Sequence, residues 1–319
     1  MGGALVGVAA GLLAAWAIFE QAFVMFCLAS ALSGFVGALV QQYRFAAADT
    51  ASEMFKPKAI SWVMAGGVLA GIIGPQTVIF TVDLFEPVLF AGTFVALAGL
   101  NVLSFVILSL IRIPPPETGV VTARGRPILE IISQRRFIVA AACGIATYAL
   151  MSFVMTATPL AMVACGLTQT DATLAIQWHV LAMFGPSFFT GHLIAKFGKE
   201  RVVATGLALL AGCGMVALAG VAVENFWIAL VLLGLGWNLG FIGATAMVTD
   251  TYRPEERNKV QATNDFLVFG FVAAASFSSG TVLHISGWAT INWMLFPAVA
   301  LCLTLLAWLV WSERRATVL

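Results

Sequence analysis

Charge is what this sequence has least of. Only 10% of its 319 residues are Asp, Glu, Lys or Arg, against about 25% in an ordinary soluble domain. Hydrophobic residues make up 61%, and mean hydropathy is +0.99. A chain this apolar cannot cover its surface with polar groups and needs lipid as part of its solvent. Other absences narrow the field. A formal net charge of +1 provides no basic face to neutralise phosphates, which argues against nucleic acid as a partner. No G-x-x-x-x-G-K-[ST] loop occurs, so nothing supports ATP-driven work. Cys27, Cys143, Cys165, Cys213 and Cys302 are too far apart for a C-x-x-C pair or a metal-ligand spacing and read as small core residues. No metal or cofactor is expected. The three histidines are too dispersed for a catalytic cluster.

What is present is long apolar runs. A hydrocarbon core about 30 Å thick needs roughly 20 residues of helix. Ten such runs are legible, at 3–19, 21–42, 59–81, 87–111, 137–160, 172–195, 202–223, 226–249, 262–283 and 291–311. The first lacks a basic start and reads as a span, not as a cleaved signal. The fold class expected is therefore an all-α polytopic membrane protein. All 16 Lys and Arg residues fall in one alternate set of connections, 43–58, 112–136, 196–201, 250–261 and the tail from Ser312. Chance would place them all there about once in 200 trials, given the lengths of the two sets, and the rule that basic loops stay inside makes that set cytoplasmic. Both termini of this chain then lie in the cytoplasm, with the bacterial inner membrane as the expected location. The longest connection, 112–136, contains Pro114, Pro115, Pro116 and Gly119 and reads as an extended linker, with Pro127 to Arg136 as a short surface helix. It divides the chain into a partial helical bundle at 1–111 and a six-helix bundle at 137–319.

The sequence GHLIAKFGKER, from Gly191 to Arg201, lies between the sixth and seventh spans. It resembles the loop motif of the major facilitator superfamily, G-x-x-x-D-[RK]-x-G-[RK], through Gly191, Lys196, Gly198 and Lys199. Glycine suits a tight turn, and the cations suit helix ends. Ala195 stands where the family usually has Asp, which puts the charge pairing made by that Asp in doubt. In the family a long linker joins two six-helix halves, and the second copy of the motif follows the eighth helix. Here linker and motif both come two helices early. The resemblance therefore implies a two-bundle transporter fold in a four-plus-six arrangement that lacks the first two helices. Gly66 to Pro75 resembles the glycine-rich fifth helix of facilitator antiporters, with Ser61 and Ala70 departing from its glycine pattern. Gly74 and Pro75, and Gly185 and Pro186 in the sixth span, are candidate helix bends.

The resemblance also implies a central cavity lined in part by spans 21–42, 137–160 and 226–249. Tyr148, Ser152 and Thr156 share one helical face near mid-membrane, and Asn238, Phe241 and Thr245 share another beside Trp237. The alternative for these polar groups is hydrogen bonding between helices. Gln177 and His179 open the sixth span. A histidine at that depth is a candidate for solute binding or proton coupling, with protons as the coupling ion, or else a neutral ring satisfied by a neighbouring helix. Asp265, read in the first turn of the ninth span, is either a partner of the Gly191–Arg201 gate loop or a helix cap. No charge sits at the middle of any run, which points to a neutral or weakly charged small solute. The function implied is secondary transport by alternating access. An inactive fragment and a membrane-embedded enzyme are the alternatives.

Overall fold

The computed structural model describes residues 1–40, 43, 56–111 and 125–318, and the side chains of 56–65 and 316–318 are outside that description. The triple proline, Gly119 and most of Gln41 to Asp49 lie outside the described residues, as does the side chain of Ser61. Every described element is helical. In chain order they are α1 Gly2–Phe19, α2 Phe23–Val40, α3 Lys56–Thr81, α4 Ala91–Leu110, α5 Ile128–Ile132, α6 Arg135–Ala164, α7 Gln169–Phe184, α8 Ser187–Phe197, α9 Lys199–Ala219, α10 Val223–Val248, α11 Arg257–Trp293 and α12 Leu295–Val318. Among the described residues, seven segments are long and apolar enough to cross a membrane, or eight if α7 and α8 form one bent span. One of these, Pro254–Arg315, is 62 residues long, enough for two crossings. It breaks at Gly287, whose φ of 79° is left-handed and suits a residue without a Cβ. With the shorter apolar stretch Gly66–Thr81, each of the ten runs seen in the sequence has most of its described residues on helix.

The chain divides into two compact units, Met1–Thr118 and Gly119–Leu319. In the first, α1 packs against α2 and α4. Ala4, Gly7, Ala10, Gly11, Ala14, Ala15 and Ala17 are its buried residues, at three- and four-residue spacing. Lipid is as apolar as any side chain, so helices in it associate by close packing, and small residues permit the approach. A Cβ at Gly11 would stand 2.9 Å from the Phe94 carbonyl oxygen and the Ala98 nitrogen of α4. Thr81 and Thr93 hydroxyls, 3.2 Å apart, link α3 to α4. Pro75 lies inside α3, which continues through it as helix, with Gly74 preceding it.

The second unit has α10 at its middle, packed against α6, α7 and α9. Its core includes Leu207, Leu210, Phe226, Leu230, Leu233, Met247 and Ile291, each at most 1% exposed. Here too glycines set the helix separation. A Cβ on Gly236 would come within 2.9 Å of the Gly206 carbonyl oxygen on α9, and one on Gly234 within 2.8 Å of the Ala182 Cβ on α7. Two hydroxyls tie α6 to α11: Ser152 and Ser276 Oγ share a hydrogen bond at 2.7 Å, and Ser279 Oγ donates to the Phe153 carbonyl at 2.6 Å. The segment 125–136, expected as the end of a linker with a surface helix, packs onto this unit instead. Ile131 is fully buried in the core while Leu129 is 69% exposed. Five residues of helix with one deeply buried isoleucine are held by protein, not by lipid alone.

Because the α9–α10 approach has no slack, Gly206→Leu or Gly236→Leu should each destabilise the protein by about 1–3 kcal/mol, the usual overpacking range. Gly74→Leu, with nothing within 4 Å of its Cβ position, should be neutral. Thermal unfolding of the purified variants in one detergent measures the difference.

Candidate functional site

Three sets of side chains in the second unit carry chemistry. The first lies at the α7–α8 junction. Gly185 and Pro186 bend the pair by 43°. Proline has no N–H to give the preceding turn, and the bend disrupts the helical ladder. Asn238, on α10, faces this break. Its Nδ2 donates to the Met183 carbonyl at 2.6 Å and to Ser187 Oγ at 2.8 Å. The Thr190 hydroxyl donates to its Oδ1 at 2.5 Å, with the Pro186 carbonyl 2.9 Å away as a second acceptor for the same proton. Asn238 is fully buried, so both ends of its amide are engaged by α7 and α8. Of the two readings of Asn238, this geometry favours hydrogen bonding between helices over solute contact. One turn nearer the other end, the His179 ring is also fully buried. Its Nδ1 lies 2.8 Å from the Leu230 carbonyl. A carbonyl only accepts, so Nδ1 carries the proton and Nε2 is an acceptor. Nε2 is buried without a partner. Gln177 is half-buried on the same helix.

The second set is aromatic. Trp237 stacks on Phe241 at 5.4 Å and 17°. Tyr148 from α6 meets the pair edge-on, 5.3 Å from Trp237 and 5.0 Å from Phe241. Phe184 of α7 closes on Trp237 at 6.0 Å, and Phe269 of α11 on Tyr148 at 5.6 Å. Phe269 is 44% exposed, and Tyr148, Phe241 and Phe184 are half-buried, so the cluster reaches the surface of the unit. The Trp237 Nε1 donor is buried with no partner. Tyr148, Trp237 and Phe241 were singled out from the sequence, on two separate helical faces whose contact it did not show. Phe184 and Phe269 were not, since nothing in their own segments marks them. Ser152 is bonded to Ser276 and is 6% exposed, so it joins α6 to α11 beside the cluster.

The third set is ionic and lies where the helices begin and end. Arg136, at the start of α6, donates to Glu200 at 2.6 Å, to Asp250 at 2.9 Å and to Glu313 at 2.9 Å. Lys199 reaches Asp250 at 2.5 Å. These residues come from α6, α9, the turn after α10, and α12. Lys199 of the loop is thus paired by a carboxylate from another connection, Asp250. Gly198, at φ 88°, makes the turn between α8 and α9 in a backbone region that glycine adopts freely. Gly191 and Lys196 are exposed, and Lys196 Nζ lies 5.2 Å over the Phe197 ring. Nearby, Arg126 grips Glu256 with Nε at 2.9 Å and Nη2 at 2.7 Å, and Lys259 Nζ donates to the Arg126 carbonyl. The hydrogen-bonded Glu256 carboxylate raises the Arg126 guanidinium above its ordinary pKa, keeping it charged. Asp265 needs correction. Helix α11 starts at Arg257, so Asp265 lies in its third turn, past the reach of a helix cap. It is exposed, with Asn264 Nδ2 3.5 Å from its Oδ1. The polar stretch before the apolar run, read as loop, is already helix.

The same architecture recurs in solved structures. A bacterial homologue of the iron transporter ferroportin, in an outward-facing state, matches 98% of this chain and 82% of its own with a TM-score of 0.61 at 14% identity. FucP, a facilitator in the outward conformation, matches 96% and 81% with a TM-score of 0.53 at 12% identity. These likenesses concern the fold. At the level of sequence, the family model described as Major Facilitator Superfamily matches residues 140–318. The chain belongs to the major facilitator superfamily. Within it, the chain is 54% identical over 303 residues to the riboflavin transporter RfnT of Brucella anthropi, covering 94% of this chain and 76% of that protein. It is 31% identical to the uncharacterized MFS-type transporter YddS of Bacillus subtilis, covering 86% of this chain and 66% of that one. A facilitator is a transporter, which sets aside the membrane-enzyme alternative.

Three variants separate the roles of these groups. Asn238→Leu leaves Thr190, Ser187 and the Met183 carbonyl without their amide and should cost about 1–3 kcal/mol of stability, seen as a lower melting temperature, with the solute KM unchanged in the protein that remains folded. A raised KM without loss of stability would return Asn238 to the solute site. Arg136→Ala leaves three carboxylates facing one another and should lower the melting temperature well beyond Lys196→Ala, which removes a solvated charge worth at most about 1 kcal/mol.

Proposed function

We propose that this facilitator moves riboflavin, or a closely similar flat heteroaromatic solute, across the bacterial cytoplasmic membrane by alternating access. The observation that carries this reading is the 54% identity with RfnT along 94% of the chain. The aromatic cluster supports it on physical grounds. A flat ring system is held by stacking and edge-on contacts, worth about 0.5–1.5 kcal/mol per ring beyond the area buried. The cluster offers three ring faces or edges at half-buried positions, Tyr148, Phe241 and Phe184. Riboflavin carries no net charge, in keeping with ten spans that have no charge at their centres. The confinement of all 16 Lys and Arg residues to one set of connections supports cytoplasmic termini.

Within this reading protons are the coupling ion and His179 Nε2 takes them, because Nδ1 is occupied by the Leu230 carbonyl. Transport by this chain alone is part of the proposal, and the fragment alternative is its opposite.

Uptake of riboflavin by proteoliposomes or by a riboflavin-requiring bacterium expressing the chain tests all of these points. Tyr148→Ala and Phe241→Ala should each raise KM about tenfold, on the order of 1–1.5 kcal/mol. A protonophore should abolish accumulation, and His179→Ala should leave exchange but no accumulation. No uptake by the wild type would defeat the reading.

A further inference from the structure

The cations of the α8–α9 connection fall into two groups. Lys199 is engaged by Asp250, and its neighbour Glu200 by Arg136. Lys196 and Arg201 make no ion pair among the described residues, and both are exposed. Arg201 lines a cavity of about 360 Å³ whose other walls are Leu193, Phe197, Val202, Thr205 and Leu239, drawn from α8, α9 and α10. Lys196 stands over the Phe197 wall of that cavity. The Thr205 hydroxyl is turned back onto its own helix, donating to the Arg201 carbonyl at 2.9 Å. The remaining walls are apolar, and Leu193 and Phe197 are 36% and 46% exposed, so the groove opens on an apolar surface. Its walls flank the Gly198 turn, with Phe197 directly before it and Arg201 three residues after it, where the chain passes from one span to the next.

An apolar groove on spanning helices, ending in two uncompensated cations at the level of a connecting turn, matches a molecule that is apolar along its length and anionic at one end. We propose that it holds an anionic glycerophospholipid. The acyl chain lies along Leu193, Phe197, Val202 and Leu239, and the phosphodiester sits at Arg201 with Lys196 beside it. The guanidinium fork suits a phosphate geometrically, and basic pockets between spanning helices favour anionic headgroups on the cytoplasmic side. A zwitterionic lipid fits the groove equally well but gains less at the cations.

The test is native mass spectrometry of the full chain, purified in detergent and offered equal amounts of phosphatidylglycerol and phosphatidylcholine with matched acyl chains. The wild type should retain the anionic lipid in preference, and Lys196→Gln with Arg201→Gln should reduce that preference about tenfold, from roughly 1 kcal/mol per cation near a charged headgroup. Leu239→Trp fills the groove and leaves both cations, and it should also lower retention. Arg257→Gln, which removes an exposed cation elsewhere on the same side, should change nothing. No preference in the wild type, a preference that survives the double variant, or equal loss in Arg257→Gln would overturn the site. Retention unaffected by Leu239→Trp would overturn the groove as its location.

Discussion

A peptide group without a hydrogen-bond partner costs several kcal/mol in hydrocarbon. That constraint explains why every described element here is a helix, and why the bend between α7 and α8 has the neighbours it has. At Gly185 and Pro186 the α7–α8 pair turns by 43°. A soluble protein would hydrate such a break. Here an amide from α10 stands at it, with one donor group serving both Met183 and Ser187 and one oxygen receiving Thr190. Asparagine is well chosen for this. It carries two donors and a double acceptor without charge, so it meets several backbone and hydroxyl needs at no Born cost. The bend and Asn238 are therefore one device, split across two helices.

The device works only if α10 can come close to its neighbours, which is where glycine enters. Gly234 faces α7 one turn before Asn238, and Gly206 and Gly236 let α9 approach from another side. Charges are excluded from this packed region and collect where helices start and stop. Arg136 gathers carboxylates from three other elements, and none of those side chains is fully buried. Surface pairs taken singly contribute little. A single guanidinium shared by three carboxylates is different in kind, because removing it leaves like charges crowded together.

The sequence made the helices legible because a run of about twenty apolar residues is a local signal. Pairings between distant residues were not legible in the same way. Asn238 showed as a polar residue at mid-depth, but its partners are 48 to 55 positions earlier, and only packing reveals which face of α10 meets the bend. Ala195 signalled a missing carboxylate, and nothing near it pointed to Asp250 as the partner of Lys199. Asp265 was misjudged for a physical reason. Hydropathy marks where a helix enters lipid, whereas α11 begins earlier, in the polar stretch at Arg257, eight residues before Asp265. The aromatic cluster was half legible, since Tyr148, Trp237 and Phe241 follow from periodicity while Phe184 and Phe269 arrive from other helices.

Satisfaction of polar groups also marks what is left over. Among the described residues, three buried side-chain atoms have no partner: His179 Nε2, Trp237 Nε1 and Asn292 Oδ1. An orphan of this kind costs about 1–3 kcal/mol, and native proteins keep few of them. Two of the three sit on α7 and α10, the helices that supply Phe184, Trp237 and Phe241 to the aromatic cluster. One is an acceptor and the other a donor. A neutral heteroaromatic solute presents both kinds of group around its rim and ring faces above and below. Under the proposed reading, the cluster supplies stacking surface and the indole N–H supplies the discrimination that stacking lacks, because an apolar ring of the same shape would leave that donor unsatisfied.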